Sequence, residues 1–182
     1  KKRGPKRLDH QRRIADARSR HARRPGVRAP LWVNKMAEKV NVISRPSGTL
    51  PSPTGPWSLG ARAGDFVFVA GMRGIDPVTN ELVADHDSRV RQCFVNMRRV
   101  AESAGATMAS VVRLVIYVTD MNRFRPLVNQ IQLEIWGDGP YPPRTIVEVQ
   151  RLNQDDIVEV EGTFYAPVNV GGGLGNSQPT SS

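Results

Sequence analysis

The pattern of apolar residues predicts strands at several places in the chain. Val40 to Ser44 forms a short β-branched segment, and Phe66 to Ala70 is a continuous apolar run that ends at Gly71. Val111 to Thr119 is apolar on both faces, as expected for a strand in the middle of a sheet. These segments predict a sheet with a buried centre.

Two other segments have the period of a helix. Apolar side chains recur every three or four residues from Ser88 to Ala104, and Gly105 follows at a position suited to end the helix. The same period runs from Asn122 to Trp136. Pro126 is expected in the first turn of this second helix, where proline is tolerated. Both segments predict amphipathic helices that pack on the sheet.

The last two predicted strands are separated by only a short polar segment. They run from Arg144 to Arg151 and from Ile157 to Tyr165, and this spacing predicts an antiparallel hairpin. Alternation gives each strand an apolar side and a side rich in charge. The prediction is one α+β domain with a mixed sheet, two helices on its apolar face, and a charged face opposite. That charged face has to be solvated, covered by another subunit or used as a site.

Charge is distributed unevenly along the chain. The formal net charge is +9, but residues 1–35 hold 13 of the 26 basic residues and only 2 of the 17 acidic ones. This segment has few apolar residues and is expected to be a disordered tail or a non-native leader, because Met36-Ala37-Glu38 is typical of a protein start. Residues 171–182 are expected to be a Gly/Ser-rich disordered tail. The folded domain is therefore predicted over residues 36–170, and this body is slightly acidic.

Cysteine and histidine content narrows the possible chemistry. Cys93 is the single cysteine, which excludes an intrachain disulfide and favours a reducing cytoplasm. No apolar run is long enough to span a membrane. The body offers only His86 and Cys93 as nitrogen or sulfur ligands, so no metal site is expected. Cys93 falls in the middle of a predicted helix and is expected to be a small packing residue.

Arg144 is the candidate with the clearest chemistry. It begins a strand directly behind Pro142 and Pro143, which stiffen the backbone. A guanidinium held in this way can bind a carboxylate through two parallel hydrogen bonds. An ion pair with Glu148 or Glu161 on the charged sheet face explains the same residue equally well.

Two stretches of the sequence resemble the RidA family, the YjgF-type proteins also known as L-PSP endoribonucleases. They are GPWSLGARAGDFVFVAGMRGIDPVTNEL from Gly55 and PPRTIVEVQRLNQDDIVEVEGTFYAP, which ends at Pro167. The resemblance implies a chorismate mutase-like fold and a homotrimer with sites between subunits. It also implies hydrolysis of 2-imino or enamino acids to 2-oxo acids and ammonia, without a cofactor.

The resemblance assigns roles to individual residues. It implies that Arg144 binds the substrate carboxylate, that Glu159 positions or activates water, and that Asn129 belongs to the site. The backbone of Gly71 is expected to line the pocket.

Three substrate-binding positions depart from the family pattern. Trp57 stands where tyrosine is usual and Ala70 where serine is usual, so two hydroxyl groups are missing. Ile146 replaces a cysteine, but its role is expected to be played by a backbone carbonyl. These departures leave carboxylate binding in place and open the question of the substrate.

The predicted hairpin also separates the two charged candidates. If Leu152 faces Ile157, Glu159 lies across from Gln150, on the order of 20 Å from Arg144. A shared site would then form between subunits.

Several functions remain alternatives to the imine deaminase. The trimer could bind small carboxylates without catalysis, or deaminate another substrate such as aminomuconate. RNA cleavage is disfavoured because the body is acidic and its strands lack interleaved aromatic and basic residues. Nucleic acid binding is expected, if at all, only through residues 1–35.

Overall fold

The computed structural model describes residues 40–44 and 49–167, and both predicted tails lie outside them. The described residues form, in chain order, β1 (Val40–Ile43), β2 (Gly60–Ala63), β3 (Phe66–Arg73), α1 (His86–Ser103), β4 (Val111–Val118), α2 (Met121–Trp136), β5 (Arg144–Glu148) and β6 (Val158–Tyr165). Two short 3-10 helices occur at Met108–Ser110 and Asn153–Asp155.

The six strands form one mixed sheet in the order β1-β2-β3-β6-β4-β5. Neighbouring strands are antiparallel except for β4 and β5, which are parallel. A parallel neighbour needs a crossover, and α2 supplies it between β4 and β5. The predicted α+β fold with a mixed sheet and two helices is confirmed.

The core lies between the sheet and the helices. Along β6 the predicted alternation holds, with Val158, Val160 and Phe164 fully buried and the intervening residues on the other face. Cys93 lies in this core, where burial raises the pKa of its thiol, as suits a packing residue. Within the described part of the chain, no helix is both long and apolar enough to span a membrane.

The predicted hairpin is wrong. Among the described strands, β5 pairs only with β4, while β6 lies between β3 and β4. The connection between β5 and β6, residues 149–157, passes β4, so β6 enters the sheet on the side of β4 away from β5. The side of β5 that carries Arg144 and Ile146 was predicted to be the charged face away from the helices, and this is also wrong. Arg144 is aligned with the buried Leu114, and Ile146 with the buried Ile116. Arg144 lies on the helix side of the sheet and Glu159 on the open side.

Two further details differ from the prediction. β2 was not predicted, because its sequence of Gly60, Ala61, Arg62 and Ala63 has little β propensity. Pro126 is in the second turn of α2, since the Asp120 side chain accepts a hydrogen bond from Arg123 N and caps the helix one residue earlier than expected. The helix tolerates this proline at the loss of one backbone hydrogen bond.

Candidate functional site

The Arg144 side chain is fixed by two amides of α2. Its Nη1 donates to Asn129 Oδ1 at 2.7 Å and to Gln132 Oε1. The alternative ion pair with Glu148 or Glu161 is not formed, and the Glu148 carboxylate instead accepts a hydrogen bond from Met121 N. Neutral amides orient the guanidinium without neutralising its charge.

One edge of the Arg144 guanidinium is open. No acceptor within the described residues takes a hydrogen bond from its Nε or Nη2. The pKa of Arg144 is lowered, first by partial burial and then by the like charge of Arg125. A bound anion would favour the charged guanidinium and so offset both effects. A cleft of about 500 Å³ beside it is also lined by Leu133, Tyr141 and Pro142. This geometry suits a small carboxylate bound by two hydrogen bonds.

Gln132 belongs to this group but was missed in the sequence. It lies three residues after Asn129, so both side chains share one face of α2. Gln132 is buried, although it sits among apolar positions such as Val128 and Ile131. A buried polar residue on an apolar helix face requires a partner, and that signal could have identified it.

Ile146 contributes a backbone group at the edge of the sheet. Among the described strands, β5 has β4 as its single neighbour. Leu114 N donates to Pro143 O and Val149 N donates to Val118 O, so Pro143 and Val149 face β4. Strand alternation then directs the N–H and C=O of Ile146 away from β4. Its side chain packs against the hydrophobic core. The expected use of its carbonyl is compatible with this direction.

Glu159 lies on the open side of the sheet against Gly71. A Cβ atom on Gly71 would overlap Glu159 Oε1, so only glycine leaves room for the carboxylate. The pKa of Glu159 is raised above its ordinary value of 4.5, chiefly by burial, and Arg73 opposes this shift. Such a carboxyl group is closer to the pKa that a general base needs near neutral pH.

Replacing Gly71 with alanine should displace the Glu159 carboxylate and lower the rate of any reaction that uses it by about a hundredfold. Stability should change little, because the overlapping atom is the end of a flexible side chain. Gly60→Ala is the matched control: its Cβ would lie 2.5 Å from the backbone oxygen of Phe68 and should lower stability instead. Steady-state rates and denaturant unfolding of both variants check this. Normal activity of Gly71→Ala would contradict the placement of Glu159.

Ala70 and Trp57 lie near the same part of the sheet. Ala70 precedes Gly71 in β3, its N–H donates to Leu59 O at 2.9 Å, and it lines an open cleft of about 420 Å³ with Phe68. Trp57 lies two residues before Leu59 and is 41% exposed. Both positions therefore belong to the β2–β3 side of the sheet, far from the β5 edge.

The structure separates the predicted residues into two groups. Arg144, Asn129 and Ile146 lie at the β5 edge, whereas Glu159 and Gly71 lie at the β3–β6 pair. Within one chain, register places Glu159 two strands across from β5 and three residues along from Arg144, about 14 Å between Cα atoms. Their side chains also leave opposite faces. The estimate of 20 Å from the hairpin was thus wrong, but one small substrate still cannot reach both residues in one chain.

The similarity to known proteins extends over most of the described residues. Residues 48–166 match the family model described as Endoribonuclease L-PSP. A RutC family protein of Pyrococcus horikoshii is 38% identical over 63% of this chain and 90% of its own length. The 2-iminobutanoate/2-iminopropanoate deaminase of Dermatophagoides farinae is 35% identical over 66% of this chain and 91% of its own.

A solved structure is similar as well. The probable translation initiation inhibitor of Rhodopseudomonas palustris is 53% identical, with a TM-score of 0.69 over 71% of this chain and 99% of that chain. The chain therefore belongs to the endoribonuclease L-PSP family, which is also the RidA or YjgF family.

Proposed function

We propose that the protein is a cytoplasmic homotrimeric hydrolase that converts reactive 2-imino or enamino acids to 2-oxo acids and ammonia. The observation that carries the proposal is the open guanidinium edge of Arg144, held by Asn129 and Gln132 without an anionic partner in the described residues. The similarity to a 2-iminobutanoate/2-iminopropanoate deaminase supports the choice of reaction. Arg144 binds the substrate carboxylate, and Glu159 directs water.

The catalytic site requires two chains. Because Arg144 and Glu159 leave opposite faces of one sheet, a site that contains both is formed by Arg144 of one subunit and Glu159 of another. The open sheet face supports such assembly, since large apolar side chains are exposed on it: Val42, Phe66, Phe68, Val147 and Tyr165. Exposed apolar patches of this kind are typical of surfaces that contact another protein chain or a ligand. A closed ring of three subunits buries the patch and repeats the site three times.

In the proposed reaction, Arg144 fixes the carboxylate and so places the C=N carbon for attack. The ionised Glu159 accepts a proton from water as the water oxygen bonds to that carbon, and the C=N electron pair moves to nitrogen, which takes up a proton. The amino nitrogen of the resulting carbinolamine takes up the proton held by Glu159, and its C–N bond breaks to release ammonia. The hydroxyl proton passes to water as the C=O bond forms, so Glu159 is ionised again. Imines already hydrolyse in water, so positioning and one general base supply the acceleration. No cofactor takes part in these steps.

The proposal is tested with imines generated in place from threonine or serine by a dehydratase. The protein should accelerate ammonia release beyond the spontaneous rate. An equal rate with and without the protein, across several imines, would refute deaminase activity toward them. Including an aminomuconate-type substrate tests whether the chain prefers a larger acid.

A non-catalytic carboxylate-binding trimer is the second candidate. Trp57 and Ala70 favour it, because neither supplies a hydroxyl group to hold a substrate or water. Calorimetry with 2-oxobutyrate separates the two functions. Binding that requires Arg144, without turnover of any imine, would support this candidate and contradict the enzyme.

A further inference from the structure

Two arginines and one aspartate form a buried cluster that the reaction above does not use. Arg73 Nη1 donates to Asn153 O at 2.7 Å, and its Nη2 donates to Gln154 Oε1 at 2.9 Å. Asp156 lies 4.0 Å from Arg73 Nη1 and 3.7 Å from Arg89 Nη1. Arg73 is 8% exposed and Asp156 1% exposed. The guanidinium of Arg73 is thus held in one place.

This cluster lies directly beside Glu159. Arg73 and Glu159 are opposite each other in the antiparallel pair of β3 and β6, so their side chains start from neighbouring positions. The Glu159 carboxylate accepts no hydrogen bond from any described residue and lies against Gly71. Arg73 is the one positively charged residue of the adjoining strand β3, and it is directly across from Glu159.

Charge balance links the two features. Arg73 and Arg89 carry two positive charges, and Asp156 carries one negative charge. A buried cluster with an uncompensated charge is unfavourable, and the ionised form of Glu159 supplies the missing negative charge. Protonation of Glu159 would leave the excess positive charge of Arg73 unbalanced.

We propose that Arg73 is a positioning residue that keeps the Glu159 carboxylate ionised and directed along Gly71. This inference rests on the proposed role of Glu159 as the group that activates water. Asn153 and Gln154 hold Arg73 by hydrogen bonds, so its charge acts on Glu159 from a fixed position and the guanidinium does not contact the substrate.

Other groups around the carboxylate act in the opposite direction. Asp156 and Glu161, on the β6 side, raise the pKa of Glu159 through like charge, and burial raises it most. Tyr117 is aligned with it on β4, whereas Cys93 lies in α1 on the helix side of the sheet. Burial raises the pKa of both groups most, and the negative charge of Glu159 adds to each shift. Arg73 is the group that lowers the pKa of Glu159 in this set.

The test follows the NMR signal of the Glu159 side-chain carboxyl carbon in the full chain as pH is changed. The signal that is missing from Glu159→Gln identifies this residue. Arg73→Gln should move the midpoint upward by about one pH unit, because an adjacent opposite charge is lost. Arg73→Lys keeps the charge and should restore the midpoint to within about half a unit. The acidic limb of the kcat profile should move by the same amount.

Arg89→Gln is the matched control, because it removes the other arginine of the same cluster from a different element, α1. It should shift the midpoint of Glu159 by less than about a third of the shift seen in Arg73→Gln. An unchanged midpoint in Arg73→Gln, or equal shifts in Arg73→Gln and Arg89→Gln, would overturn the inference. A midpoint that shifts as expected in a protein without imine turnover would refute the proposed function and leave the action of Arg73 on Glu159 standing.

Discussion

Arg144→Ala is expected to lower kcat/KM for an imino acid by about 100- to 1000-fold, which corresponds to about 3 to 4 kcal/mol. The variant loses two charge-assisted hydrogen bonds to the substrate carboxylate and the orientation that they impose. Arg144 is exposed at the sheet edge and makes no ion pair within the described residues, so the fold should survive. Ammonia release from an imine generated in place measures the loss, and circular dichroism checks the fold.

Two variants show whether the geometry of Arg144 or simply positive charge is responsible. Arg144→Lys keeps the charge but loses the planar fork, so it should recover only part of the activity. Arg151→Ala removes an arginine whose side chain is 79% exposed and should stay within about twofold of the native rate. Native activity in Arg144→Ala would disprove the carboxylate site.

Glu159→Gln is expected to lower kcat by about 100- to 1000-fold with little change in KM. Glutamine has nearly the same shape, but it cannot accept the proton of the attacking water. Arg144 still holds the substrate, so binding should persist. Glu161→Gln removes the next carboxylate on the same strand and face, and kcat should fall less than about threefold. A comparable loss in both variants would indicate a general charge effect instead of a base at Glu159.

The pH dependence follows from the raised pKa of Glu159. The carboxylate is the active form, so kcat should fall as pH decreases through a midpoint above 4.5. In Glu159→Gln this limb should disappear, because the titrating group has been removed. A limb that persists unchanged in the variant would assign the titration to another residue.

The helices and most strands could be predicted because their periods are local properties of the sequence. The alternation of β6, with Val158, Val160 and Phe164 inward, is one example. The partner of β5 could not be predicted in the same way. A short polar connection is typical of a hairpin, yet β6 is inserted beside β4, and only tertiary packing decides this.

The site could be predicted only in part for the same reason. Arg144, Asn129 and Glu159 follow from the family resemblance, but Gln132 and Arg73 do not. The predicted strand ends at Gly71 and so excludes Arg73 from the sheet. In the structure β3 continues to Arg73. The charge of Arg144 predicts the solvent-facing side of the sheet for this residue. In the structure Arg144 lies on the helix side, where amides of α2 accept its hydrogen bonds.

Mixing the two inactive variants tests the central claim, that Arg144 and Glu159 of different subunits form one site. Arg144→Ala and Glu159→Gln chains are refolded together in equal amounts, and imine turnover is compared with each variant alone. Random assembly restores both residues in about a quarter of the sites, so about a quarter of the native activity should return. Activity no higher than that of the separate variants, in trimers shown to be mixed, would contradict a site shared between subunits.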